Sequence, residues 1–147
     1  MSALLLRRAT LTAAFCGATF ASFAQELPPV QRSGSVEYVT GGIGRDESTA
    51  LEAAAAQWPL ALEFSVTGGA RAAFAADVQV AVRDRSGRAV LEAVAGGPFL
   101  LARVEPGSYS VEATLQGRSQ RRQVTVRRGA SARVMFSWPE AAVDAPR

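Results

Sequence analysis

The sequence predicts an all-β protein, an antiparallel β-sandwich of about seven strands preceded by one α-helix. Three observations predict it. After Pro59, apolar and polar residues alternate along several short runs, as over residues 78–83, which is typical of strands with one buried and one solvated face. Turn-forming residues separate these runs at short intervals. Ahead of them, residues 46–57 are rich in alanine and do not alternate, which indicates a helix.

The first 24 residues have the features of an export signal. Arg7 and Arg8 precede an apolar, uncharged run over residues 9–23, which is shorter than a membrane-spanning helix requires. Small residues occupy the minus-three and minus-one positions of a cut after Ala24, so we expect cleavage there. The mature chain is then expected in the periplasm, without a membrane span. An uncleaved anchor and a cytosolic helix are alternatives, and export can follow the general secretory or the twin-arginine route.

The residue types present exclude much chemistry. The chain has no His and no Lys, so it offers no histidine general base and no lysine Schiff base. Its only cysteine, Cys16, lies within the export signal, where bulky Phe15 argues against lipid attachment, and no Cys/His zinc site can form. We therefore expect no enzyme, no catalytic, cofactor-binding or metal-ligating residues, and no cofactor. Cleavage leaves fourteen basic residues against thirteen acids, and this small excess predicts no nucleic-acid binding.

The region between the export signal and the helix, residues 25–45, is predicted to be an extended leader that ends in a glycine-rich loop. Pro28 and Pro29 favour extended backbone, and residues 36–39 are compatible with one short strand. The expected organisation is a signal peptide at 1–24, the leader and loop at 25–45, the helix and sandwich at 46–138, and a flexible tail at 139–147.

One helix is predicted over residues 46–57. Asp46 is the candidate N-cap, because its carboxylate can accept hydrogen bonds from the free amides of the first turn, and Glu47 adds negative charge near the positive end of the helix. Pro59 ends the helix, since proline cannot donate a backbone hydrogen bond and disfavours the helical conformation of the residue before it.

The alternating runs and the turns that separate them predict seven strands. The turns between them contain residues suited to reversing the chain: Glu105-Pro106-Gly107 suits a type II turn, and Gln116-Gly117 suits a tight hairpin. The strands are predicted at residues 60–66, 78–83, 89–94, 99–104, 109–115, 118–126 and 131–138.

One of these turns belongs to a longer pattern. Residues 106–111 have the form Pro-Gly-x-Tyr-x-Val, and the order of strands and turns from residue 77 to residue 138 resembles the carboxypeptidase regulatory-like domain. The resemblance implies a prealbumin-like (transthyretin-like), Ig-like sandwich, as in small exported bacterial proteins that carry this domain. It implies no catalysis, because metallocarboxypeptidases hold their zinc in a separate domain and the catalytic histidines of transthyretin-like hydrolases have no counterpart here.

The tyrosine of this pattern also has a physical role. The turn at Pro106 and Gly107 reverses the chain, and Tyr109 follows at the start of a strand. We therefore expect its ring in the core and its hydroxyl at the rim, bonded to a backbone group.

Two features near the helix start are candidate ligand sites. The loop at residues 41–44 is rich in glycine, but Arg45 and Asp46 stand where a phosphate-binding loop has Lys and Ser or Thr. We interpret the loop as a structural turn, with a recognition loop as the alternative. Asp46 and Glu47 lack the spacing of an EF-hand, so helix capping is preferred to calcium binding.

Two larger sets of residues were weighed in the same way. Six arginines have no acidic residue near them in the sequence. One interpretation is a basic patch that binds an anionic lipid, lipopolysaccharide or an acidic partner. The other is a set of solvated strand edges, which we prefer because alternation along a strand turns neighbouring arginines to opposite faces. They are Arg118, Arg121, Arg122, Arg127, Arg128 and Arg133.

Six aromatic residues are expected in the core. Of these, Trp138 stands at a strand end and is the one most accessible to a ligand. They are Trp58, Trp138, Phe64, Phe74, Phe99 and Phe136.

The predicted function is that of a periplasmic, non-enzymatic binding or accessory module that contacts another envelope protein. This prediction rests on the export signal, the missing catalytic residue types and the exposed edges and loops of a sandwich. The alternative is a carbohydrate- or small-ligand-binding sandwich that uses its loops and Trp138. A hydrolase built on carboxylates such as Asp77, Asp84 or Glu105 is a third hypothesis, and the sequence pairs no two of them.

Overall fold

A computed structural model describes residues 26–68 and 73–143. The predicted signal peptide and the last four residues of the predicted tail lie outside these ranges. The strands are β1 (Gln31–Ser33), β2 (Val36–Gly41), β3 (Leu60–Thr67), β4 (Ala73–Phe74), β5 (Val78–Arg83), β6 (Ala89–Ala95), β7 (Phe99–Ala102), β8 (Gly107–Leu115), β9 (Arg118–Val126) and β10 (Ala132–Pro139). The helices are α1 (Arg45–Ala54), which continues as a 3₁₀ turn (Ala55–Gln57), and the short α2 (Glu140–Val143).

The strands form two sheets, which confirms the all-β prediction. One sheet has the order β1-β2-β7-β3-β10, with β4 also paired to β3, and the other has the order β6-β5-β8-β9. Most pairs are antiparallel, but β10 runs parallel to β3, with Ala132 opposite Leu60. The expectation of a purely antiparallel sandwich is therefore wrong. The chain crosses from β9 in one sheet to β10 in the other, so no hairpin fixes the direction of β10.

The region predicted as a leader contributes two strands to the larger sheet. β1 pairs with β2, and β2 pairs in turn with β7, where Tyr38 lies opposite Ala102. The short strand predicted at residues 36–39 is present as the start of β2, but the interpretation of the region as an extended leader is corrected, because β2 is an interior strand of the sheet. Val36 and Tyr38 face the other sheet, whereas Val39 lies under the helix, so burial on both faces hides the alternation of an exposed strand.

The main core lies between the two sheets. Val78, Val80 and Val82 all point into it, as their alternation predicts. Its largest side chains form an aromatic group: the Phe136 ring stacks on Phe64 at 5.8 Å and on Trp138 at 6.2 Å between ring centroids. Burial of these apolar faces is the main stabilising contribution to the sandwich.

A second, smaller core lies on the outer face of the larger sheet. Leu51 of α1 packs there against Phe99 and Leu101, together with Trp58. Strand β7 is therefore buried on both faces, because its alternate residues reach the inter-sheet core. Ala61 of β3 points away from the inter-sheet core and is nevertheless buried, because it lies beneath the helix. The fold thus has three layers, a helix on a mixed sheet on an antiparallel sheet.

Side chains close the seam where the edges of the two sheets approach each other. The Trp138 indole nitrogen donates a hydrogen bond to the Arg118 carbonyl at 2.9 Å, and the Gln120 amide donates to the Ser137 carbonyl at 2.6 Å. These bonds tie β9 to β10 without a continuous backbone ladder. They also cover part of two sheet edges that would otherwise present unpaired backbone groups.

The predicted turns differ in outcome. Gln116 and Gly117 both have positive φ angles, of 48° and 76°, and they join β8 to β9 as the predicted tight hairpin. The prediction of a type II turn at residues 105–107 is wrong, because that turn needs a positive φ at Gly107 and this residue has none. Gly107 instead begins β8 and pairs with Val126.

Tyr109 occupies the position predicted for it. Its side chain is buried, and its hydroxyl donates a hydrogen bond to the Glu105 carbonyl at 2.6 Å. Burial raises the pKa of Tyr109 above the ordinary value of 10.0, and the negative charges of Glu105 and Asp84 raise it further. The tyrosine therefore fixes the corner between β7 and β8 as a neutral donor.

The Tyr109 hydroxyl gives a testable pH dependence. Because the folded-state pKa is raised, its contribution to stability is present below pH 10 and is lost as pH rises through the folded-state pKa. We expect Tyr109→Phe to cost about 0.5–1.5 kcal/mol at neutral pH, from the lost hydrogen bond. The ultraviolet difference titration between the parent protein and this variant should show a midpoint above 10.0. A midpoint below that value would contradict the buried hydrogen bond.

Candidate functional site

A groove of about 540 Å³ opens at one end of the sandwich, beside the glycine-rich loop. We call it the glycine-loop groove. The loop and the first turns of α1 form one wall, and the segments before β5 and β7 form the other. Its lining residues are Gly42, Ile43, Gly44, Arg45, Ser48, Thr49, Ala75, Ala76 and Pro98.

The loop is held firmly against the protein behind it. Gly42 has a φ of +101°, and a β-carbon there would lie 2.7 Å from the Phe99 ring, so no larger residue fits. The Gly42 amide donates a hydrogen bond to the Glu47 carboxylate at 2.7 Å. A β-carbon on Gly97 would lie 2.3 Å from the Gly41 carbonyl oxygen, which shows how closely the neighbouring turn approaches. The loop is therefore a packed structure, as its interpretation as a structural turn requires.

The helix start differs from its prediction. The N-cap is Gly44, whose carbonyl accepts the first helical hydrogen bond from the Ser48 amide. As a glycine, it has no side chain that could make a capping hydrogen bond. Asp46 lies in the first turn, so its prediction as N-cap is wrong. Glu47, the third helical residue, reaches back to the loop in the manner of a capping box. Across residues 26–68 and 73–143, no group of three Asp or Glu residues is placed to hold a metal ion.

The groove combines an apolar rim with a few polar groups. Ile43 stands at the rim with 69% of its surface exposed, the largest exposed fraction among the large hydrophobic side chains of the described residues. Ser48 and Thr49 supply hydroxyl groups from the helix, and Arg45 supplies a guanidinium. Such a surface can bury an apolar side chain and accept or donate a few hydrogen bonds beside it.

The six arginines of the C-terminal third do not form one patch. Arg121 lies on the outer face of its sheet and pairs with Glu112 at 2.8 Å, whereas Arg122 lies on the opposite face over the Phe136 ring, at 5.6 Å. Arg133 is on the other sheet and donates to the Glu52 carbonyl at the end of the helix. Alternation along the strand therefore separates neighbouring arginines, as the sequence predicts.

The described aromatic side chains belong to the core, as predicted. Trp58, Phe64, Phe99 and Phe136 are buried, and the side chain of Phe74 lies outside the described set. Trp138 is 2% exposed, and its ring nitrogen is already hydrogen bonded to the protein. Its use as a sugar-stacking platform is therefore unsupported, because stacking needs an exposed face.

The three carboxylates of the hydrolase hypothesis are divided between the two ends of β5, with Asp77 at one end and Asp84 and Glu105 near Tyr109 at the other. The Asp77 amide bonds to the Ala95 carbonyl near the glycine-loop groove. Asp84 lies at the other end of β5, where its carboxylate accepts hydrogen bonds from the Ser86 hydroxyl and amide and from the Arg88 amide. The Ser86 hydroxyl is the main cause that lowers the pKa of Asp84 below 3.8. Asp84 and Glu105 both lie near Tyr109, and Asp84 holds its own turn.

Comparison of the chain with models of known protein families and with curated proteins gives no match. No helix among the described residues has the length and apolar character needed to cross a membrane. The glycine-loop groove therefore has to be judged on its own geometry. The sequence pointed to its loop, but Ala75, Ala76 and Pro98 carry no signal, because small apolar residues acquire a role only from their placement.

Proposed function

We propose that the chain is a non-enzymatic binding module of the periplasm, a prealbumin-like sandwich that contacts another envelope protein through the glycine-loop groove. The observation that carries this proposal is Ile43, a large aliphatic side chain exposed on a packed loop at the rim of a groove. Loops held by a rigid scaffold are where binding residues concentrate in sandwich folds.

The packing of the loop favours recognition rather than chance exposure. Glu47 and Phe99 hold the backbone of Gly42 from behind, so the backbone next to Ile43 is ordered before a partner binds, which lowers the entropy cost of binding. An apolar side chain carried on an ordered loop can fill a pocket of the partner near the centre of an interface. The partner best suited to this surface presents an apolar residue flanked by groups that bond to Ser48, Thr49 or Arg45.

A small ligand is the second candidate for the same groove. Its volume of about 540 Å³ falls within the range of small-molecule sites, and polar groups converge on it from the helix. With Trp138 buried, this alternative depends on Ser48, Thr49 and Arg45 rather than on aromatic stacking.

Site-specific photo-crosslinking in the cell envelope tests the proposal. A photoreactive residue at Ile43, and separately at Thr49, should give the same covalent adduct with one protein. The matched control is Met135, which is 61% exposed but lies on β10 beyond the groove. Equal adducts from Met135, or none from Ile43 and Thr49, would reject the proposed interface. Recovery of the chain from the cytoplasm would reject the proposed periplasmic location. If a small molecule raises the melting temperature of the parent protein but not that of Thr49→Ala, the small-ligand function is favoured.

A further inference from the structure

A second groove, of about 440 Å³, lies on the outer face of the four-stranded sheet. It is remote from the glycine-loop groove, because β5 runs from Val78 beside that groove to Arg83 at this one. On the outer face of β8, Ser108 and Ser110 present only short side chains. Ser110 lies opposite Arg83 on one side and Gln123 on the other. Long side chains thus rise around a floor of small hydroxyl groups, which is why a hollow forms here.

The lining of this groove is rich in guanidinium groups. Arg83, Arg85 and Arg121 line it, together with one carboxylate, Asp84. That carboxylate already accepts three hydrogen bonds within its own turn, so it is held toward Ser86 and the Arg88 amide. Three guanidinium groups against one carboxylate leave the lining with a net positive charge, although Glu112, which pairs with Arg121, offsets part of it.

The guanidinium groups keep donors free for a ligand. Arg83 uses one nitrogen to donate to the Gly87 carbonyl at 3.2 Å, and Arg121 uses one to bind Glu112 at 2.8 Å. Each guanidinium has five N–H groups in a planar fork, so one such bond leaves most of its donors unused. The hydroxyls of Ser108 and Ser110 add neutral donors on the floor between them.

We propose that this groove binds a phosphate group. Arginine forks match the paired oxygens of phosphate, and serine hydroxyls complete the coordination of oxyanions of this kind. The phosphate belongs either to a soluble phosphorylated molecule or to the headgroup of an anionic lipid, since both present the same oxygens. This assignment does not depend on the partner at the glycine-loop groove, because the two surfaces share no residue.

Titration with inorganic pyrophosphate at low salt tests the soluble form of the ligand. We expect saturable amide shifts in nuclear magnetic resonance spectra at Arg85, Ser108 and Ser110. The double variant Arg83→Gln/Arg85→Gln should bind at least about tenfold more weakly, since hydrogen bonds to charged groups are lost. The matched double variant Arg118→Gln/Arg133→Gln removes the same charge outside this groove and should bind as the parent does.

A third variant and a second probe complete the test. Ser110→Glu places a carboxylate on the floor of the groove and should abolish binding while the thermal melt still shows a folded protein. Vesicles of phosphatidylcholine with about 30% phosphatidylglycerol distinguish the sources. If the parent protein sediments with the vesicles and Arg83→Gln/Arg85→Gln does not, the ligand is a lipid headgroup. If the parent protein binds pyrophosphate but does not sediment with the vesicles, the ligand is a soluble phosphorylated molecule. Equal loss in both double variants, or no binding of either probe, would overturn the proposal.

Discussion

Phe136→Ala is expected to lower the free energy of unfolding by about 3–5 kcal/mol. The Phe136 ring is fully buried between the sheets and stacks on both Phe64 and Trp138. Truncation removes both contacts and leaves a cavity that the neighbours cannot readily fill, because β10 is tied to β3 by a ladder of parallel pairs. A loss of this size is a large fraction of the stability of an ordinary domain.

Urea denaturation measures this loss, and the next residue in the chain supplies the control. Met135 lies on the same strand with its side chain mostly exposed. Met135→Ala should therefore change the free energy of unfolding by less than about 0.5 kcal/mol. A Phe136→Ala loss no larger than that of Met135→Ala would mean that the inter-sheet core does not depend on this aromatic group.

Strands with one solvated face could be predicted closely from the sequence. β5 and β9 have the predicted bounds, and β6 extends one residue beyond them. β5 has one face in water, so its three valines alternate with other residues and the pattern is visible locally. β9 is polar along most of its length, and its start was predicted from the hairpin at Gln116-Gly117 instead. The Tyr109 corner was predictable for a similar reason, because a tyrosine at the start of a strand needs a partner for its hydroxyl close in the chain.

Features that depend on distant parts of the chain could not be predicted in this way. The short strand predicted at residues 36–39 is the start of β2, but its place inside the sheet was not predicted, because Val39 is covered by α1 and the strand lacks the alternation of a half-exposed one. The parallel pairing of β10 with β3 joins residues about seventy positions apart, and no local pattern specifies its direction. The N-cap is Gly44 rather than the predicted Asp46, and the carboxylate that reaches back to the loop is that of Glu47, one residue later.

The candidate site shows the same division. The loop at residues 41–44 could be found because glycine is conspicuous, but its opposite wall is made of Ala75, Ala76 and Pro98. The second groove depends on the register that sets Ser110 between Arg83 and Gln123, three residues from three strands. The positions of arginines in the sequence do not reveal which strands pair or in which register. The sequence-based grouping of six arginines therefore omitted Arg83 and Arg85.

Gly97→Ala is expected to destabilise the protein by about 1–3 kcal/mol or more and to disturb the glycine-loop groove. The added β-carbon would lie 2.3 Å from the Gly41 carbonyl oxygen and 2.5 Å from its carbon. Both are backbone atoms, so no side-chain rotation relieves the clash, and the loop that carries Ile43 has to move. Gly41 is also the end of β2, so this shift reaches the pairing of β2 with β7.

Gly96→Ala is the matched control, because it makes the same chemical change one residue earlier. Neither glycine has a positive φ, and the nearest atom to a β-carbon on Gly96 is the Thr40 methyl at 3.9 Å, an ordinary contact. The control should change stability by less than about 0.5 kcal/mol and leave the adduct at Ile43 intact. Gly97→Ala should lose that adduct at a temperature where most of the protein is still folded, because recognition depends on the position of the loop. Equal behaviour of the two variants in denaturation would show that the turn at Gly97 does not support the loop.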